Sequence, residues 1–335
     1  MRSARIWTFS KQPVGAPTED CFELRDQELE ALADGELLVA NTWLAVEPSL
    51  RIRIAHLAGH ASTNTHEPVP GRAIGRVVES RASEFKPGDL VAHGLGWRDK
   101  AIVPATGVWK VPDVGIPTED FLGVLGYNGL TAYTGMVKVA GVKPGDVVFV
   151  SGAAGSVGSL AVQLAKLKGA ARVIGSAGSP EKIEWLKALG CDATFDYRAE
   201  PDLTAALARA APDGIDVYFD NVGGEHLAAA LNNARPHARF AECGMVSTYN
   251  SGDSAAPAQL FRIIVNRIRM EGFGGEEMMG HLSDFQAEMI PLVQSGAVQA
   301  RSTIMNGLES VPRAFIGLLS GANIGKMIVQ LSPDE

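Results

Sequence analysis

Residues 148–169, VFVSGAAGSVGSLAVQLAKLKG, decide the fold. A short apolar run meets three glycines, Gly152, Gly155 and Gly158, and an amphipathic helical stretch begins among them. The spacing GxxGxxG is a variant of the dinucleotide fingerprint GxGxxG. Glycine is needed where the backbone turns tightly and lets a pyrophosphate approach, and the N-terminus of the following helix offers unpaired N–H donors and a favourable dipole. Three spaced glycines alone could serve turns or helix packing; the strand before them and the helix after them point to a phosphate cradle. That cradle comprises Gly152, Gly155, Ser156, Val157 and Gly158, with hydroxyl donors available from Ser156 and Ser159.

Working outward on the C-terminal side, the runs DVVFVSG, ARVIGSAG, DATFDY, GIDVYFDNVGG, ARFAECGMV and RMEGFGG alternate with helix-like segments at 156–168, 180–189, 203–211, 225–233 and 258–266. Short apolar runs separated by helices are the pattern of βα units, so these six strands predict a doubly wound parallel sheet. In PEKIEWLKALG, Pro180 starts a helix and Gly190 ends it. Upstream, to about residue 117, the text changes to short β-type runs broken by Gly and Pro: GELLVANTWLAV, GRAIGRVVES, KPGDLVAHG and AIVPATGVWKV. KPGD recurs at 86–89 and 143–146 as shared turn chemistry, not as an internal repeat. Beyond residue 280 a helical stretch leads to MIVQL, a final strand whose return to the N-terminal unit would make that unit discontinuous. The reading is therefore an α/β protein with a β-rich domain from 1–124 and 301–335 and a nucleotide-binding domain from 125–300, in keeping with the 335-residue length.

Composition narrows the function. With 46% hydrophobic and 20% charged residues the chain is built to pack, and its formal charge of −8 argues against nucleic acid or an anionic membrane surface as a partner. The cysteines Cys21, Cys191 and Cys243 are too widely spaced for a disulfide framework. The N-terminus lacks a signal-peptide core and no apolar stretch is long enough to span a bilayer, which gives the expectation of a cytoplasmic protein. The second strand ends in Gly175, Ser176, Ala177, Gly178 and Ser179, without the carboxylate that usually binds the ribose diol of NAD. Lys182, Tyr197 and Arg198 follow and can converge on a 2′-phosphate, so NADPH is the expected cofactor. Ordinary solvated charges are the alternative for Lys182 and Arg198.

The ordered segments GLTAYTG, SGAAGSVGS, AKLKGA, GSAGSPEK, GIDVYFDNVGGE, CGMVSTYN, RIRMEGF and GANIGK span most of the chain. In these the sequence resembles the zinc-independent medium-chain dehydrogenase/reductases, and within them the NADPH-dependent alkenal/one double-bond reductases of the prostaglandin reductase and curcumin reductase group. The resemblance implies a GroES-like catalytic domain beside a Rossmann domain, and a homodimer. It implies cofactor contacts at the glycine loop, Ser176, Lys182, Tyr197, Asn221, Cys243, Gly244, Met245, Val246, Ser247, Tyr249, Phe273 and Asn323. Two departures concern the substrate. Where the family commonly reads DPYMR this chain has Glu47, Pro48, Ser49, Leu50 and Arg51, and Val265 stands where many members carry a tyrosine. Tyr127 is the candidate catalytic replacement, with packing as its alternative role.

The catalytic Cys/His set of zinc alcohol dehydrogenases is missing, and no metal is expected. His56 and His60, with His66 nearby, could imitate a metal pair but equally suit a surface loop, and His93 reads as a structural or cleft residue. The expected reaction is reduction of the C=C bond of an enal or enone without metal. A quinone reductase of the same superfamily and an NADPH-binding protein with little turnover remain the alternatives. Residues 274–280, GGEEMMG, read as a lid or a long surface loop.

Overall fold

The computed structural model describes residues 2–54, 64–250 and 257–331. They form two units, one from Met1–Leu122 with Ser302–Glu335 and the other from Gly123–Arg301. The sequence places these divisions at 124/125 and 300/301, within two residues of the structural ones.

The first unit opens with an antiparallel pair, β1 (Ser3–Phe9) and β2 (Phe22–Glu28). This pair was not legible in the sequence, because β2 reads FELRDQE and mainly faces water. Next come β3 (Glu36–Ala45), a helical turn α1 (Ser49–Ile54), β4 (Ala73–Ser80), β5 (Leu90–His93), β6 (Lys100–Pro104) and β7 (Trp109–Lys110). Strand β3 is the organiser: its first half pairs with β6 and its Leu37–Leu44 stretch with β4, with register shifts at Leu38/Val39 and Asn41/Trp43. Such bulges curl a strand, which lets one long strand serve several partners. Leu37, Val39, Val77, Val91, Ala101 and Val103 fill the interior beneath it. Each fully buried aliphatic side chain contributes roughly 2 kcal/mol.

The second unit carries β8 (Val147–Val150), β9 (Arg172–Ala177), β10 (Ala193–Asp196), β11 (Ile215–Asp220), β12 (Ala234–Glu242) and β13 (Arg269–Gly272). The six lie parallel in the order β10-β9-β8-β11-β12-β13, the Rossmann arrangement, with the reversal at β8. All four residues of β8 are buried, as expected of a central parallel strand covered on both faces. The helices are α2 (Tyr127–Tyr133), α3 (Ser156–Leu167), α4 (Pro180–Ala188), α5 (Leu203–Ala210), α6 (Gly224–Asn232), α7 (Phe261–Asn266), α8 (Glu276–Met279) and α9 (Leu282–Gln294). Helix α2 continues into a π-helical turn, Thr134–Val139. Helix α4 starts as read: Ser179 caps it by accepting from the Lys182 N–H, Pro180 occupies its first turn and Gly190 follows it at φ +90°. Phe195, Phe149, Tyr218 and Phe240 run in ring contact across one face of the sheet, with neighbouring centroids 5.1–5.7 Å apart. In the 274–280 segment the chain forms α8, whose Met278 is buried.

The chain then returns to the first unit through β14 (Ser302–Asn306), α10 (Val311–Ser320) and β15 (Lys326–Gln330). Strand β15 lies antiparallel to β3, pairing Ile328 with Ala45, and parallel to β14. Phe315 of α10 meets Phe22 and Trp97 edge-on, at 6.1 and 5.7 Å. The terminal strand is therefore part of the first unit's sheet and the first unit is discontinuous.

Candidate functional site

The reversal at β8 leaves a crevice beyond the strand ends, where the loops after β8 and β11 diverge from a common base. Ser151 joins them. Its N–H bonds the Phe219 carbonyl, its hydroxyl donates to Asp220 Oδ1 at 3.0 Å, and Asn221 returns a 2.7 Å bond from Nδ2 to the Ser151 carbonyl. The Ala153 N–H bonds the Ser176 carbonyl at 2.9 Å and so ties in the end of β9. Gly152 sits at φ +56°, the left-handed region that suits glycine. Gly158 is required for contact: a Cβ there would stand 2.5 Å from the Gly152 carbonyl oxygen and 2.7 Å from Ala153 Cα. Helix α3 begins at Ser156 with no side chain capping it. Its first N–H groups face the loop end of the sheet, which is what an anion needs. Gly152, Gly155, Ser156, Val157 and Gly158 are thus brought together as one turn. The buried Ser176 hydroxyl lacks a hydrogen-bond partner among the described residues, a polar atom left for a ligand or water.

At the end of β9, Tyr197 lies against Gly178, where a Cβ would come within 2.7 Å of the phenol oxygen. The Arg198 guanidinium sits over the Tyr197 ring, 5.8 Å from its centroid. Burial and the neighbouring Arg198 charge push the Lys182 ammonium below its ordinary pKa, against the opposing pull of Glu181. Lys182, Tyr197 and Arg198 therefore cluster beside a strand end with no carboxylate among residues 175–179. Such a cluster suits a phosphate better than a ribose diol.

The loop after β12 folds back onto the loop after β11. The N–H groups of Cys243 and Gly244 both bond the Asp220 carbonyl, at 2.9 and 3.0 Å, and those of Val246 and Ser247 bond the carbonyls of Asn221 and Val222. The Ser247 hydroxyl adds a 2.6 Å bond to the Val222 carbonyl. Met245 packs under Gly223, and the Tyr249 hydroxyl lies near Gly244. Asn221 and the whole 243–249 run thus share one surface. Sequence reading missed the hub of this arrangement, Asp220. Its carboxylate is buried, and Oδ1 accepts from the Ser151 and Tyr218 hydroxyls and the Val222 and Gly223 N–H groups. Glu242, opposite Asp220 in the β11–β12 register, was missed as well. Only strand pairing reveals either role.

Phe273 packs against Phe219 at 6.1 Å and covers Gly135. Tyr127 opens α2, where its carbonyl accepts from the Thr131 hydroxyl. Asn323 belongs to the discontinuous unit; it is buried and donates to the Gly325 carbonyl at 2.7 Å.

In that unit His93 is structural. The Leu95 N–H donates to Nδ1 at 3.1 Å, which places the proton on Nε2, 2.9 Å from Asn41 Oδ1. Burial and nearby Arg98 drive its pKa down to about 4, so it is neutral at physiological pH. Asn41 also donates to the carbonyls of Leu95 and Arg98, fixing the 94–98 loop. Of the histidines weighed as a metal pair, His56 and His60 lie outside the described residues, and His66 stands 3.2 Å from an Arg25 nitrogen. No group of three or more His, Cys, Asp and Glu side chains able to hold a metal occurs among the described residues. No helix among them is long and apolar enough to cross a membrane.

Comparison with known proteins agrees with this geometry. Residues 5–111 match the family described as N-terminal domain of oxidoreductase, and residues 156–295 match the family described as zinc-binding dehydrogenase. The chain is 39% identical to prostaglandin reductase 1 of Mus musculus, over 98% of this chain and all of that one. It is also 39% identical to a 2-alkenal reductase (NADP(+)-dependent) of Nicotiana tabacum, over 95% of both. The structure of CurA from Vibrio vulnificus in complex with NADPH superposes with a TM-score of 0.92 at 34% identity, covering 98% of this chain and all of CurA. The chain belongs to the medium-chain dehydrogenase/reductases, in the family of the prostaglandin and 2-alkenal reductases.

Proposed function

We propose that this protein uses NADPH to reduce the C=C bond of α,β-unsaturated aldehydes and ketones, without a metal. One observation carries the reading: near-full-length identity of 39% to a 2-alkenal reductase, in a chain whose cradle and cation cluster fit a phosphorylated dinucleotide. A pulegone reductase of Mentha piperita, 36% identical over 93% of this chain, adds support for an enone acceptor. When bound, NADPH supplies the hydride, which adds to the β-carbon of the acceptor.

The chain's own work is binding, orientation and charge stabilisation. The α3 N-terminus and glycine turn take the pyrophosphate, Lys182, Tyr197 and Arg198 take the 2′-phosphate, and Ser176 donates from the β9 end. The 221–224 and 243–249 loops form the shelf for the nicotinamide end, to which Phe273 and Asn323 are assigned by the family resemblance. An enone spreads incoming charge onto its carbonyl oxygen, so a hydrogen-bond donor can do the work of a Lewis acid. Tyr127 is the side chain we assign as that donor. We assign 125–300, which also carries Tyr127, to cofactor binding, and take 1–124/301–335 as the catalytic domain on the family resemblance alone. We take the protein to be a cytoplasmic homodimer.

NADPH consumption followed with aliphatic enals, aromatic enones and quinones, each in the presence of a chelator, tests the reading. Enals and enones should turn over fastest and the chelator should change nothing. Turnover confined to quinones would replace the reading with a quinone reductase, and tight NADPH binding with no turnover would leave a binding protein.

A further inference from the structure

The β11 and β12 strands place Tyr218 beside Phe240 and Asp220 beside Glu242 on the same face. Two acids therefore stand side by side at the root of the loops that follow these strands. On Asp220, Oδ1 accepts bonds from the Ser151 and Tyr218 hydroxyls and the N–H groups of Val222 and Gly223, whereas the buried Oδ2 has no partner among the described residues. Both carboxyl oxygens of Glu242 are likewise buried without a donor among those residues. Two ionised carboxylates cannot satisfy one another, because neither has a proton to give. A single proton between them removes the conflict; burial raises both carboxyls, but four donors oppose it at Asp220 and none at Glu242 among the described residues, which favours Glu242 as the proton's carrier.

We infer that Glu242 is a positioning residue: its protonated carboxyl donates to Asp220 Oδ2, and this shared proton holds the 220–224 and 243–249 loops in the form that binds the nicotinamide end of the dinucleotide. The step balances as a simple acid dissociation, with water or buffer taking the proton at high pH. The inference rests on the cofactor reading above and goes beyond it by naming what controls that surface.

The surroundings agree. Among the described residues the titratable groups that interact with Glu242 are Asp220 and Tyr218 on β11 and the adjacent Cys243, all acids; β13 presents Gly272 opposite it. Among the described residues burial and Asp220 are what act on the Glu242 carboxyl, and His226 on α6, pushed down to about 4 by burial, adds no charge. Burial and Asp220 raise the Glu242 carboxyl to about 8. Cys243 is pushed up to about 12 and Tyr218 well above its usual 10, and burial raises Asp220 as well, so the proton that leaves between pH 7 and 9 is the one the Asp220–Glu242 pair shares. Above that pKa a second negative charge faces Asp220, and the root of the two loops is forced apart.

The test pairs NADPH titrations of the wild-type protein and E242Q at pH 7 to 9 with infrared spectra of both proteins without nucleotide. Gln keeps an N–H donor for Asp220 at every pH. The wild-type Kd should rise about fivefold across that range, a shift smaller than one pKa unit's tenfold, while E242Q stays flat. Wild-type spectra at pH 7 should show a protonated-carboxyl stretch that E242Q lacks. Parallel pH profiles in the two proteins, or no infrared difference at pH 7, would overturn the inference. Failure of the wild-type protein to bind NADPH at pH 7 would instead overturn the cofactor reading; the infrared band, which needs no nucleotide, tells the two failures apart.

Discussion

In the discontinuous unit, Arg72 and Lys326 both close on one carboxylate, Glu47, with the Lys326 ammonium only 4% exposed and 3.5 Å from Glu47 Oε1. At the end of β9 in the nucleotide unit, Lys182 is set near a second cation, Arg198, and burial together with that repulsion lowers its pKa. One cluster gathers two cations on a carboxylate, whereas in the other one cation lowers the pKa of its neighbour, an effect that a bound anion would oppose. Buried charge paired within the fold serves the fold, and removing one partner strands the other in low dielectric. Cations that lie side by side near a helix N-terminus suit an anionic ligand. Cations alone do not mark a binding site; the balance of charge around them does.

The largest effect should come from breaking the Glu47 cluster. Glu47→Gln leaves Lys326 buried without its counter-charge and should destabilise the protein by about 3 kcal/mol, read by urea unfolding. The two cations outweigh burial and hold the Glu47 carboxyl below its ordinary 4.5. Its contribution is therefore complete above pH 4.5 and lost as pH falls through the lower, folded-state value. The variant should lack that portion of the acid-induced loss. A change below about 1 kcal/mol would place the cluster with exposed pairs and dissolve the contrast.

Next comes the cradle. Gly158→Ala puts a methyl 2.5 Å from the Gly152 oxygen. The backbone must move, and NADPH affinity should fall about 100-fold, or about 2.7 kcal/mol, with the far-ultraviolet circular dichroism retained. Unchanged affinity would show that the turn does not hold phosphate.

Lys182→Ala should weaken NADPH about tenfold, worth about 1.4 kcal/mol, and leave NADH unaffected. Equal losses for both nucleotides would show that the lysine packs the helix and does not read the extra phosphate. Tyr127→Phe should be the smallest change, lowering kcat for a good enone by about threefold, or about 0.7 kcal/mol, with KM unaltered. No change in kcat would end its assignment as donor.

How much of this was legible in the sequence follows from the range over which each signal acts. The β8–α3 turn is local: strand, glycines and helix lie within 148–169, and the structure forms them there. Of the remaining five strands of the second sheet, most also carry local signals as short apolar runs bounded by helices, whereas β13 reads RMEG and is mostly exposed. Strand β2 escaped because its burial is slight, and Asp220 with Glu242 escaped because strand register joins them across the whole of α6. The Glu47–Arg72–Lys326 cluster needs the chain's two ends to meet through β15 and β3, which no local pattern encodes. Lys182 and Tyr197 were readable because the end of β9 is itself readable.

The most direct test of the central claim is to supply NADPH deuterated at nicotinamide C4 with an aliphatic enone and to locate the label in the product. Transfer to the alkene predicts a saturated ketone with deuterium on the former β-carbon and insensitivity to chelators. An allylic alcohol with deuterium on the former carbonyl carbon would contradict it.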